Sequence, residues 1–135
     1  APQEVQSLEA VTGGTETVLL VEDDDSIRAL LSRVLRQKGY QVLEAANAGE
    51  ALRVDESLSD PVHLLITDVV MPHLSGNELA ERLTVQRPGL QVLFISAYPE
   101  SYLGNDQRAG LGAHFMQKPI DPARLVERVR TLLDE

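Results

Sequence analysis

A doubly wound α/β sandwich is the fold class this sequence predicts: five parallel strands in the order 2-1-3-4-5, with helices on both faces. Three observations carry the expectation. Short apolar runs and stretches of 3.6-residue periodicity alternate five times along the chain, the pattern of successive βα units feeding a parallel sheet. The runs are apolar on consecutive residues, as suits strands covered on both faces. Four of the five runs end at polar residues, Glu22-Asp23, Asp68, Ser96 and Lys118, so these residues gather along one edge of the sheet. At 135 residues the chain is expected to form one domain, and the flavodoxin-like order sets the first and third strands side by side. That is the switch point where open parallel sheets keep their ligand crevice.

Each element has its own justification. Residues 1–16 are rich in Gln, Glu, Ser, Thr and Gly, and Gly13-Gly14 interrupts any period; a linker or disordered lead-in is expected there, with the domain proper over 17–135. Thr17–Val21 is a short β-branched run, the first strand. Apolar residues at 27, 30, 31, 34 and 35 form one face of a helix, capped by Asp24 or Asp25 and stopped at Lys38-Gly39. Gln41–Ala45 is the second strand, and a helix runs from Ala48 to about Ser57 with Asn47 as cap. The third strand is expected over 62–67; Pro72 cannot continue a central strand, so the chain must turn soon after Asp68. A third helix spans Gly76–Gln86, the fourth strand 91–95, a weaker helix 100–109 and the fifth strand 112–116. Asp121-Pro122 then opens a last helix with apolar positions 125, 126, 129, 132 and 133.

Composition excludes several function classes. The formal net charge is −9, so the domain has no electrostatic footprint for nucleic acid and little attraction to an anionic membrane. There is no cysteine, which removes disulfides, zinc-thiolate sites and thiol catalysis. No apolar run approaches the roughly 18 residues of a membrane span, and no signal-peptide core opens the chain; a cytoplasmic location is expected. His63, His73 and His114 are scattered without i, i+4 pairing and make no zinc site. Gly110-Leu111-Gly112 lacks the third glycine of a dinucleotide fingerprint.

The strand-end residues point to phosphorus chemistry. Two unit charges about 4 Å apart repel by roughly 4 kcal/mol at an effective dielectric of 20, and Glu22, Asp23 and Asp68 share one crevice with Lys118 as the facing cation. A hard divalent cation, Mg²⁺ before others, offsets the repulsion; proton sharing, with one carboxyl pKa raised, is the alternative. A carboxylate at such a site can act as nucleophile toward phosphorus. Asp68, at the strand tip, is the expected nucleophile, with Glu22 and Asp23 on the metal side and Lys118 and Ser96 facing the phosphoryl oxygens.

Over about residues 16–135 the chain resembles a response-regulator receiver domain of two-component signalling. The resemblance is carried by Val21-Glu22-Asp23 with Arg28 five on, Asp68-Val69-Val70-Met71-Pro72 with Gly76, Ser96-Ala97, and Lys118-Pro119. It implies that Asp68 accepts a phosphoryl group from the phosphohistidine of a histidine kinase or phosphotransfer domain, in cis or in trans. It also implies Mg²⁺ held by Glu22, Asp23, Asp68 and the Val70 carbonyl, and a cis Lys118–Pro119 bond. Ser96 and Phe115 are the implied switch residues; Phe115 stands where Tyr is more usual, so any inward rotation is driven by packing. Tyr98-Pro99-Glu100 and Phe115-Met116-Gln117-Lys118-Pro119-Ile120 look more specifically like the C-terminal receiver of a hybrid histidine kinase. The expectation is a switch rather than a turnover enzyme, kinase activity belonging only to a larger chain, with a weak homodimer as a further partner.

Two other classes compete. A phosphohydrolase that passes through an aspartyl phosphate needs a second acid two residues after its nucleophile, where this chain has Val70. A pseudo-receiver, a constitutive protein-binding module without chemistry, is the other alternative, though every acceptor-site residue type is present. Val70 and Tyr98, two after Asp68 and two after Ser96, are neither acids nor amides, so slow loss of the phosphoryl group is expected.

Overall fold

The computed structural model describes residues 12–98 and 114–135. In chain order the elements are β1 Thr17–Val21, α1 Asp25–Gln37, β2 Gln41–Ala45, α2 Ala48–Ser57, β3 Leu64–Asp68, α3 Gly76–Gln86, β4 Gln91–Ser96, β5 Phe115–Gln117 and a C-terminal helix α4, Pro122–Leu133. The strands form one sheet in the order β2-β1-β3-β4-β5, and every neighbouring pair is parallel. The expected helix over 100–109 lies outside the described residues.

Because side chains alternate across a strand, each strand feeds two cores. Leu19, Val21, Leu65 and Phe94 face α2 and α3, meeting Ala48, Ala51, Leu79 and Leu83. Val18, Leu20, Leu64, Ile66, Leu93 and Ile95 face α1 and α4, meeting Leu31, Leu35, Leu125 and Val129. Burying each such aliphatic side chain is worth roughly 1.5–3 kcal/mol, and this two-sided demand explains the unbroken apolar runs. Leu79 is fully buried and Leu74 packs against the same cluster.

Caps fix where the helices begin, each worth about 1 kcal/mol. Asp24 rather than Asp25 caps α1, accepting from Ile27 N at 3.0 Å; Asp25 lies in the first turn. Asn47 and Asp121 cap α2 and α4 as expected. Ser75 caps α3 in a reciprocal capping box with Glu78, a signature present in Ser75-Gly76-Asn77-Glu78 that helical periodicity alone does not display.

Several boundaries differ from expectation, and β4 takes in Ser96 beyond the expected 95. β3 begins at Leu64 rather than at 62 and takes in Asp68, which pairs with Ile95 of β4; Val69 N extends the ladder to Ile95 O. Asp68 is therefore the last rung of the strand, held by the sheet itself. β5 spans Phe115–Gln117 and so takes in Gln117 beyond the expected 116; residues 112 and 113 lie outside the described residues. Residues 12–16 pack on the amino edge of the sheet, where Gly14 N donates to Lys38 O and Arg130 binds Gly13 O and Glu16. A β-carbon at Gly13 would overlap the Lys38 carbonyl, so that close approach requires glycine.

Candidate functional site

Three strand ends and the segment after β5 build one acidic site. Glu22 follows β1, and its N–H donates to Ala45 O at 3.1 Å, which turns its side chain into the protein, wholly buried. Glu22 Oε2 accepts from Asp24 N at 2.9 Å, and Oε1 lies 2.6 Å from Lys118 Nζ. Asp68 closes β3 and is 4% exposed; its Oδ1 lies 2.8 Å from the same ammonium. Asp68 Oδ2 is buried and has no hydrogen-bond partner among the described residues. Asp23 is exposed, and its carboxylate completes a group with Glu22 and Asp68 whose oxygens lie within 4.8 Å of one another. Lys118 is placed by its backbone: its N–H donates to Ser96 O at 2.7 Å, and the Lys118–Pro119 bond is cis.

The electrostatics follow from the count of charges. Burial pushes the Asp68 carboxyl up to about 7, against the pull of the Lys118 hydrogen bond and with the Glu22 charge adding to the rise. Lys118 loses solvation too, but its hydrogen bonds to Asp68 and Glu22 outweigh that and hold its pKa above the usual lysine value. One ammonium facing three carboxylates leaves negative charge in the crevice. The donors are all oxygens; Asp68 Oδ2 is buried and unsatisfied, and Glu22 Oε1 has the Lys118 ion pair alone among the described residues. That set fits a hard divalent cation and not a soft one.

The remaining predicted residues occupy the same edge in different ways. Ser96, the last residue of β4, is buried; its Oγ accepts from Tyr98 N at 3.0 Å, which leaves its own O–H to donate. Val70 follows β3 and is 45% exposed, and Tyr98 is 53% exposed. Phe115, on β5, packs partly buried against the α2–α3 core, not against the carboxylates. At Gly76 a β-carbon would overlap the Asp68 carbonyl oxygen, so only glycine lets α3 begin this close to the acidic strand end. Of the histidines, His63 Nδ1 accepts from Thr17 N at 3.0 Å, and His73 carries a left-handed turn at φ 72° beside the cavity that Asp23 lines.

The sequence alone assigns Arg28 no role. Its guanidinium donates to the Glu22 carbonyl at 2.7 Å and to Asp25 Oδ1 at 2.6 Å. The signal was an arginine one helical turn beyond an acidic loop; its partner, a main-chain carbonyl, has no side-chain signature.

Comparison with known proteins finds relatives in sequence and in fold. A family profile described as response regulator receiver domain matches residues 18–130. The chain is 36% identical over 122 residues to the sensor kinase CckA of Brucella abortus (strain 2308), covering 90% of this chain but 13% of that protein. It is 36% identical over 117 residues to the response regulator receiver protein CpdR of the same organism, covering 86% of this chain and 95% of CpdR. Among solved structures, the receiver domain of the hybrid histidine kinase CckA superposes with a TM-score of 0.73 at 38% identity, covering 87% of this chain and 98% of that one. The response regulator TrrA of Thermotoga maritima, in complex with Mg²⁺-BeF, superposes with a TM-score of 0.74 at 28% identity, covering 87% and 99%.

Proposed function

The chain belongs to the response regulator receiver family, a phospho-acceptor signalling module, and on that premise we propose that Asp68 is its phospho-acceptor. The observation that supports this residue is its buried Oδ2, unpartnered among the described residues, beside Lys118, Glu22 and Asp23. In the proposed step an Asp68 oxygen attacks the phosphorus of a phosphohistidine on a histidine kinase or phosphotransfer domain, in cis or in trans. A P–O bond forms as the P–N bond breaks; the electron pair goes to the imidazole nitrogen, which takes a proton from solvent.

The chain's own residues have distinct roles in this reading. Glu22, Asp23, Asp68 and the Val70 carbonyl would hold Mg²⁺, which would offset the acid repulsion and supply positive charge toward the phosphoryl oxygens. Lys118, already within 2.8 Å of Asp68, follows the negative charge as it moves onto the phosphoryl group. The Ser96 hydroxyl donates to another phosphoryl oxygen. Movement of Ser96 and repacking of Phe115 then shift a pre-existing equilibrium that alters affinity for a protein partner. The receiver unit is assigned to 17–135, with Gly13, Gly14 and Glu16 bound against its amino edge. A cytoplasmic location suits such a partner, and among the described residues no helix is long and apolar enough to cross a membrane.

Intact mass spectrometry after incubation with Mg²⁺ and a small acyl-phosphate donor tests the reading. One phosphoryl group on the wild type and none on Asp68→Asn supports it. Turnover without an adduct would indicate a phosphohydrolase, and no reaction a pseudo-receiver.

A further inference from the structure

We propose that Arg28 is a positioning residue for the acidic site: its guanidinium fixes the peptide between Glu22 and Asp23 and so sets the affinity for a divalent cation. The inference rests on the reading of that site as Mg²⁺-binding. It begins with an asymmetry among the three carboxylates. Glu22 is held by Asp24 N and Lys118, and Asp68 by Lys118 and the β3 ladder. Asp23, among the described residues, has no hydrogen bond or ion pair of its own and is exposed. Its carboxylate nevertheless lies within 4.8 Å of the others, so its direction is set by the backbone that carries it.

That backbone is pinned on both sides of Glu22. The N–H of Glu22 is bound to Ala45 O at 3.1 Å, and its carbonyl, the oxygen of the peptide leading into Asp23, accepts from Arg28 Nη1 at 2.7 Å. The second arm of the guanidinium holds Asp25 Oδ1 at 2.6 Å, and Nε lies 3.5 Å from Glu44 Oε1 on β2. The Arg28 side chain is 18% exposed. A planar fork binding a carbonyl, a loop acid and the neighbouring strand at once fixes an orientation, which a lysine's single flexible ammonium cannot reproduce. Residues behind metal ligands typically alter metal affinity by about 10–100-fold when removed.

The alternatives predict different signs. If Arg28 acted only by its charge, removing a cation beside the acids would tighten Mg²⁺ binding, and Arg28→Lys would change nothing. If it only tied α1 to its loop, melting would fall and Mg²⁺ affinity would stay. The test is calorimetric titration of Mg²⁺ into the metal-free chain for the wild type, Arg28→Gln and Arg28→Lys at one ionic strength, with thermal melts alongside. Positioning predicts Mg²⁺ binding weaker by about tenfold in Arg28→Gln and measurably weaker in Arg28→Lys. Arg28→Lys keeps the charge and decides the matter should Arg28→Gln fail to fold. Unchanged or tighter binding in Arg28→Lys overturns the inference, whereas a wild type that binds no Mg²⁺ overturns the reading of the site beneath it.

Discussion

Arg130 and Lys118 hold carboxylates at opposite edges of the same sheet, but they leave them in different states. At the amino edge, Arg130 binds both oxygens of Glu16, at 3.1 and 2.6 Å, and reaches Asp134, Gly13 O and the Tyr40 hydroxyl. At the carboxyl edge, Lys118 serves Glu22 and Asp68 together while Asp68 Oδ2 and the Asp23 carboxylate have no partner among the described residues. A guanidinium offers five donors in a fixed plane and an ammonium three on a flexible stem. The pKa directions follow: the Arg130 hydrogen bond holds the Glu16 carboxyl below its usual value, whereas burial drives Asp68 up to about 7. Charge that is fully paired stabilises the fold. Charge held unpaired and out of water is a cost the two cores must offset, and such perturbed groups gather at functional sites.

The contrast can be broken most sharply at Asp68. Asp68→Asn should abolish phosphoryl uptake, read as loss of the mass adduct, while Arg130→Met should leave uptake within about twofold of wild type; any adduct on Asp68→Asn removes that residue from the acceptor role. Next in size, Tyr98→Glu should speed loss of the phosphoryl group roughly tenfold by orienting the attacking water. A decay rate that barely moves would show that exposed apolar residues at 70 and 98 do not set the lifetime.

Stability should move in opposite directions at the two edges. Measured by urea unfolding with chelator, Asp68→Asn should gain about 1–3 kcal/mol, because it removes repulsion with Glu22 while Lys118 keeps a partner. Arg130→Met should lose about 2 kcal/mol, since it strands Glu16 and the Tyr40 hydroxyl. Equal signs would end the comparison. The smallest effect is in pH dependence. The depressed Glu16 pKa contributes stability that is present above 4.5 and lost as the pH falls through its folded value. The gap between wild type and Arg130→Met should therefore narrow in acid by up to about 1 kcal/mol, and a gap that widens would put the stabilisation elsewhere.

Legibility differed between the two edges for a physical reason. The carboxyl edge was readable because strand ends announce themselves: an apolar run must stop where burial stops, and Glu22, Asp68, Ser96 and Lys118 stand at those stops. Asp24, Asn47 and Asp121 were readable as caps because a cap acts within three residues. The amino edge was not. Gly13-Gly14 reads as a break, yet those glycines let the lead-in lie against the Lys38 carbonyl, under an arginine 114 residues away from Glu16. The role of Arg28 was equally hidden, because its partner is a main-chain carbonyl that no side-chain pattern marks.

Periodicity and the chemistry of strand ends, both local properties, were enough to give the alternating βα units and to name the acids facing one lysine. The strand order followed from the topology usual for a doubly wound sheet of this size. Only the tertiary structure decided how those charges are satisfied: that Asp68 is a rung of the sheet with one oxygen left over, and that Glu16 keeps none unbound. Hydrogen bonds reach about 3 Å, so whether a buried carboxylate is paired depends on how residues far apart in the chain come to rest, and no pattern along the chain records that distance.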